Sequence, residues 1–469
     1  MANSTKTKAV RPFGMRDKIG YAFGDFGNDF TFILSSSFLL KFYTDVMGVS
    51  AGLVGTMMMI ARFVDAVTDV TMGQIVDRSA PTAKGKFVPW MRRFSIPVAV
   101  ASFLMYASYF QNMPMAFKIV WMFATYLLWG SFCYTGVNIP YGSMASAITD
   151  DPQQRTQLSS WRNIGATLAS TVIGVVLPLV VYYTDADGNS VLSGTRMTIA
   201  AGVCSIGAII CYMLCTGMVT ERVTIEKKTE KFSIGKLVKQ LFSSRALISI
   251  IVAAIVLLLS QLTMSSMSQY VFPNYFGSSV GISIATLCGS VLSIVMALFV
   301  IPKASARWGK KEIAIFGNIV AAIAYLVLFI IHTHNMAVYI IGYILGYFGI
   351  AFFNGVIWAM IVDVIDEDEV RRGTRSDGTI YSLYSFARKI GQALSSGLSG
   401  WLLTLVGYTS ATAYDTDVVN GIYNIGTIIP CIGFVLLDIV LIFWYPLSKD
   451  KVIANNKVLQ ERHAADKKN

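Results

Sequence analysis

Long apolar runs separated by short charged clusters dominate this chain, and they leave it very few ways to fold. Each run is about 20 residues or more, the length needed to cross a hydrocarbon core of roughly 30 Å. A backbone in lipid must satisfy its own hydrogen bonds, so a spanning segment is a helix or a strand of a closed barrel. These runs are too long and too continuous for barrel strands. They predict an all-α polytopic membrane protein with helices at about 20–48, 52–77, 94–111, 115–147, 159–183, 194–219, 246–274, 279–302, 312–333, 336–364, 377–407 and 421–446. Twelve spans put both termini on one side.

Composition agrees with the pattern. Of 469 residues, 54% are hydrophobic and 14% charged, where soluble proteins carry about 25% charge. The mean hydropathy is +0.58. The net charge of +11 does not point to nucleic acid, because the basic residues sit in alternate loops. Arg11, Arg16 and Lys18 precede the first span; Arg78, Lys84, Lys86, Arg92 and Arg93 lie around the second-to-third loop; Lys303, Arg307, Lys310 and Lys311 follow the eighth span. The intervening loops hold little but Asp185, Asp187, His332, His334, Asp415 and Asp417. By the positive-inside bias the protein sits in the cell (inner) membrane with both termini cytoplasmic. The first helix serves as its own insertion signal, since the polar start MANSTKTKAVRPFGMRDK has no apolar core followed by a cleavage site. All six cysteines fall in apolar runs and read as packing residues.

A basic middle loop at 220–245 separates six spans from six. The expected domains are an N-terminal six-helix bundle (1–219), the cytoplasmic loop (220–245), a C-terminal six-helix bundle (246–446) and a cytoplasmic tail (447–469). Such symmetry is the plan of carriers built around a central site.

Charges inside the runs need a reason, because they are costly in a bilayer. The first span holds Asp25 and Asp29, the second Arg62, Asp65 and Asp69, the fourth Asn138, the fifth Arg162, the eleventh Arg388 and Lys389, and the twelfth Asp438. Asp65 and Asp69 are four apart and share a helix face. Two carboxylates that close resist joint ionisation, so one holds a proton or a cation sits between them. Thr68 adds a hydroxyl oxygen beside the pair, and Arg62, three residues before Asp65, offsets part of its charge. The bland alternative is bridging to basic residues such as Arg62 and Arg162. Asp45 reads as structural, at the outer interface. Trp129, Tyr134, Tyr141, Trp161, Trp358, Tyr381 and Tyr384 lie near these polar residues and are candidates to stack on a ligand ring, though each alone reads more readily as packing. No phosphate loop, Walker-type lysine or histidine cluster suggests catalysis, and no cofactor, nucleic acid or obligatory protein partner is expected.

Several stretches in order, "GYAFGDFGNDF", "YTDVMGVSAGLVGTMMMIARFVDAVTDVTMG", "GKFVPW", "NIPYGSMASAITDDPQQRTQLSSWR" and "YSLYSFARKIGQAL", resemble the glycoside–pentoside–hexuronide:cation symporters, the group of the melibiose and glucuronide carriers. The resemblance covers nearly the whole membrane part. It implies a major-facilitator-type fold working by alternating access. It implies a cation site at Asp65, Asp69 and Thr135, with Thr68 where the melibiose carrier has an amide. It implies a sugar site at Asp29, Asn138, Arg162 and Lys389. Trp358 matches a tryptophan of the glucuronide-type branch, Tyr384 is a further stacking candidate, and Gly142 replaces the fourth-helix tryptophan that stacks on sugar. Arg62 and Asp363 are assigned to gating or coupling; Asp363 heads "DVIDEDEVRRG", which departs from the family's usual D-T-V-[DE]-Y-G-E.

The expected function is uptake of a neutral glycoside or pentoside, such as a xyloside, coupled to H+ or Na+. Any metal is limited to Na+ at Asp65 and Asp69. A glucuronide is the alternative substrate, and lysolipid transport on the same fold is a rival of another class. Sugar, coupling cation and membrane lipid are the expected partners.

Overall fold

The computed structural model describes residues 11–82, 84–223, 244–373 and 377–466. Its first half contains α1 (Met15–Asp45), α2 (Ala51–Arg78), α3 (Val88–Leu104), α4 (Met115–Ile148), α5 (Pro152–Val181) and α6 (Gly194–Met218). The second half contains α7 (Arg245–Tyr275), α8 (Val280–Trp308), α9 (Lys310–Ile331), α10 (Met336–Arg372), α11 (Asp377–Leu405), α12 (Thr416–Trp444) and a tail helix α13 (Lys449–Asp466). Among the described residues, nine of these helices are long and apolar enough to cross a membrane. With α1, α3 and α11 they make the twelve rods expected from the apolar runs. α3 has only 17 residues, and α1 and α11 carry several of the polar residues discussed below.

Lipid exposure is written on the helices themselves. On α6, Ile199, Val203, Ile206 and Ile210 are 62%, 65%, 60% and 54% exposed. Their four-three-four spacing is one face of a helix. A face of this kind would be a liability in water and is ordinary in hydrocarbon.

Several boundaries differ from the sequence expectation, among them the start of α5 at Pro152 and not near 159. α3 starts at Val88, not near 94, and ends at Leu104, not near 111. Its early start is fixed from far away: the Glu221 carboxylate accepts from the N–H groups of Lys86, Phe87 and Val88 at 2.7, 2.9 and 2.8 Å. Those donors are among the ones a helix start leaves without partners. α10 continues through the acidic stretch to Arg372, where Asp368 pairs with Arg371 and Arg372 at 2.9 and 2.8 Å. The tail is helical, tied to α10 by Arg462, which donates to the carbonyls of Glu369 and Val370.

The chain groups into two compact units. The first takes the residues up to Ser35, Val64–Ile173 and the chain from Met197 into the middle loop; the second takes Ser36–Phe63, Gly174–Arg196 and the remainder. The boundary thus runs through α1, α2, α5 and the first turn of α6, whereas the sequence partition is drawn at the 220–245 loop, of which 224–243 lie outside the described residues.

In the first unit α1 is the hub. Tyr21 and Tyr141 stack with centroids 4.6 Å apart, and each phenol donates to the other's carbonyl, at 2.7 and 3.3 Å. That fastens α1 to α4. Gly165 lets α5 lie directly on α1, because a Cβ there would collide with the Ala22 carbonyl oxygen. In the second unit a short hairpin, β1 (Tyr182–Thr184) with β2 (Ser190–Leu192), caps the α5–α6 connection. Five of the six cysteines are buried and all are unbridged.

Candidate ligand sites

The acid pair of α2 meets two hydroxyls of α4. Ser131 Oγ donates to Asp65 Oδ1 at 2.6 Å, and Thr135 Oγ1 donates to Asp69 Oδ1 at 2.7 Å. The donors are four apart, as are the acids, so two turns of α2 register with two turns of α4. Residues 128–134 of α4 form a π-turn, a widened turn that often marks a functional site. Within it Gly130 lies close against the acid: a Cβ would stand 3.1 Å from Asp65 Oδ1 and would press the carboxylate aside by a few tenths of an ångström. The Gly130 carbonyl accepts a second contact from Thr135 Oγ1 at 3.1 Å. Asp65, Ser131 and Thr135 are buried, and Asp69 is half-buried. Thr68 behaves differently, since its hydroxyl donates to the Asp65 backbone carbonyl at 3.2 Å, within its own helix.

The polar middle of α1 lies in the same unit. Arg162 Nε of α5 pairs with Asp25 Oδ1 at 3.1 Å, and its guanidinium lies 5.6 Å from the centre of the Tyr141 ring. Asn138 accepts from Asn28 Nδ2 at 3.4 Å, and Asn28 Oδ1 accepts from Tyr212 at 3.0 Å. Asp29 is the exception. Among the described residues no hydrogen bond or ion pair reaches its half-buried carboxylate. Gly142 adjoins open space, with nothing within 4 Å of where a Cβ would stand.

The second unit holds the other expected residues. Trp358 of α10 meets Tyr384 of α11 edge to face at 5.0 Å, with Trp358 42% exposed and Tyr384 buried. Arg388 Nη1 reaches the Tyr384 hydroxyl at 3.5 Å, and Lys389 beside it is half-buried. Arg62 is buried on α2, in the segment that groups with this unit. Lys310 Nζ grips both Asp363 oxygens at 2.6 and 2.8 Å. Trp129 and Tyr141 have no exposed surface; they pack the core and offer no face to a sugar.

Sequence reasoning passed over Ser131, Asn28 and the pairing of Asp25 with Arg162. Ser131 had a readable signal, its four-residue step before Thr135. The partner of Arg162 had none, because Asp25 and Asp29 are one turn apart and only packing decides between them.

Known proteins share this arrangement of helices. A family model described as MFS/sugar transport protein matches residues 20–449. The glucuronide carrier protein homolog of Escherichia coli (strain K12) is 30% identical over 459 residues, covering 96% of this chain and 98% of its own length. The isoprimeverose transporter of Lactiplantibacillus pentosus is 30% identical over 458 residues, covering 96% and 92%. A solved structure of a proton dependent oligopeptide transporter superposes with a TM-score of 0.65 at 12% identity, over 94% of this chain and 99% of that one. At that identity it shows the fold.

Proposed function

This chain belongs to the MFS/sugar transport protein family, and on that premise we propose that it takes up a neutral glycoside or pentoside, such as a xyloside, with H+ or Na+. At the coarser level it is a multi-pass sugar symporter of the major facilitator superfamily and not an enzyme.

One observation carries the choice of a neutral sugar. Arg162 hydrogen-bonds to Asp25 and acts on Asp29 only through its charge, and the Asp29 carboxyl accepts no hydrogen bond among the described residues. An open carboxylate accepts from sugar hydroxyls and repels a uronate. Asn138 adds a second acceptor, and the open space beside Gly142 leaves room for a ring. Lys389, Arg388 and the name of the Escherichia coli relative favour the second reading, a glucuronide.

The cation is assigned to Asp65 and Asp69 with Ser131 and Thr135. Two carboxylates, two hydroxyls and the Gly130 carbonyl give Na+ the several hard oxygens it prefers; the step from divalent hard ions to Na+ is by analogy. A proton needs only one of the carboxylates. Thr68 is the weakest member of the set, since its hydroxyl is used within α2. Coupling runs along α4: Thr135 touches the cation site, Asn138 lies one turn on, and Asn138 meets Asn28 beside Asp29. Arg62 of α2 and Asp363 of α10 are assigned to gating or coupling. Both termini face the cytoplasm of a bacterial-type inner membrane, and the two six-helix halves alternate in access.

Uptake into proteoliposomes tests this. A labelled xyloside should accumulate under an imposed Na+ or H+ gradient, with the two gradients identifying the ion. A glucuronide should compete poorly. Accumulation that survives Asp65→Ala and Asp69→Ala undiminished overturns the cation assignment. If lysolipid competes and soluble sugars do not, the lipid reading replaces the sugar one.

A further inference from the structure

The end of α1 furthest from the N-terminus carries an ion pair that neither ligand site uses. Lys41 is 1% exposed, so its ammonium lies inside the second unit. Nζ donates to Asn274 Oδ1 at 2.6 Å and to the Tyr408 hydroxyl at 2.8 Å, and lies 2.8 Å from Asp45 Oδ2 one turn on. Three partners use its three protons. The ammonium also stands 4.4 Å from the centre of the Tyr270 ring and 5.3 Å from that of Tyr408. The partners are themselves held. The Tyr408 hydroxyl donates onward to Asp45 Oδ1 at 2.7 Å, Thr44 donates to the same oxygen at 2.9 Å, and Asn274 Nδ2 donates to the Ala413 carbonyl at 3.0 Å.

The distribution of charge over the helices is the informative feature. Both charges sit on α1. What α7 and the turn after α11 contribute is neutral, an amide and a phenol. A buried salt bridge split between two helices leaves an uncompensated charge on each when they part. Here α1 can withdraw with Lys41 and Asp45 still paired at i and i+4, and water replaces only the two neutral partners. Such a cluster holds firmly when dry and lets go without separating charge.

Resting on the carrier reading above, we propose that Lys41 and Asp45 are the α1 side of a latch that closes the far end of the transport path, with Asn274 and Tyr408 as its catch. The latch forms when the path is shut at that end, and the carrier opens there by releasing α1 from α7 and from the turn after α11. The YTD stretch, read from sequence as a structural end of the helix, is then a moving part.

The test needs no sugar, so its failure is distinct from failure of the substrate assignment. Ala413 is buried next to the catch, and Ala413→Cys in protein held in nanodiscs reports opening through labelling by an impermeant maleimide. Tyr408→Phe keeps the ring and removes the hydroxyl, and Asn274→Ala removes the amide. Each should speed labelling by about fivefold, the equivalent of one net hydrogen bond, while protein lacking Ala413→Cys labels slowly throughout. If either folded variant labels at the parent rate while melting at lower temperature, the cluster is a static brace and the latch is overturned. If both variants speed labelling while the melting temperature stays level, a brace is excluded; if labelling rises only together with a fall in melting temperature, the cluster is a brace and the latch is overturned.

Discussion

Helix α1 carries acids at its ends and in its middle, and the fold treats them differently. Asp17 has no exposed surface and is met by Arg11 at 2.7 Å, Arg222 at 2.9 Å, and the N–H groups of Gly14 and Thr220 at 3.2 and 3.1 Å. Asp45 is met by Lys41, Thr44 and Tyr408. Between them Asp25 has Arg162, and Asp29 has no hydrogen bond or ion pair among the described residues. A buried or half-buried carboxylate is costly unless paired. Acids that hold the fold together are therefore saturated by it. In the function proposed above, the one that accepts no hydrogen bond is the acceptor for a sugar hydroxyl.

The sharpest way to break that contrast is at Asp17. Asp17→Ala strands two guanidinium groups and two backbone donors, and should cost ~3–5 kcal/mol, seen as loss of folded protein or a large fall in melting temperature. Asp29→Asn should do the reverse. Melting temperature stays level or rises, while sugar affinity falls by about tenfold, or 1.4 kcal/mol, in a direct binding assay. If Asp29→Asn destabilises as Asp17→Ala does, Asp29 is structural. Ser131→Ala should raise the cation concentration for half-maximal uptake by about fivefold, the loss of one oxygen contact, with the sugar dependence at saturating cation little changed. Thr68→Ala should change the same curve by less than about twofold, because an exchange of one intrahelical bond is nearly neutral. A larger effect at Thr68 than at Ser131 would make Thr68 a stronger member of the cation site than Ser131.

Much of the architecture was legible because hydrocarbon leaves little choice: runs of about 20 apolar residues become helices. What escaped were features set by contacts distant in sequence. The start of α3 depends on Glu221, more than 130 residues away, and no local signal announces it. The π-turn of α4 leaves no periodic trace, yet it presents Ser131. The acid pair of α2 was readable from its four-residue step, as Ser131 and Thr135 were in principle. The division of labour between Asp25 and Asp29 was not, since either could have faced Arg162 until Gly165 brought α5 against Ala22.

Cation and sugar sites that cooperate must show it reciprocally: whatever factor the cation adds to sugar affinity, the sugar adds to cation affinity. Binding of a xyloside to purified protein, measured with and without the coupling cation, is therefore the most direct measurement. The prediction is an affinity at least about fivefold higher with the cation, lost in Asp65→Asn and Asp69→Asn. An unchanged affinity in the parent, with and without Na+ and at both high and low proton concentration, would contradict cation-coupled transport at these residues.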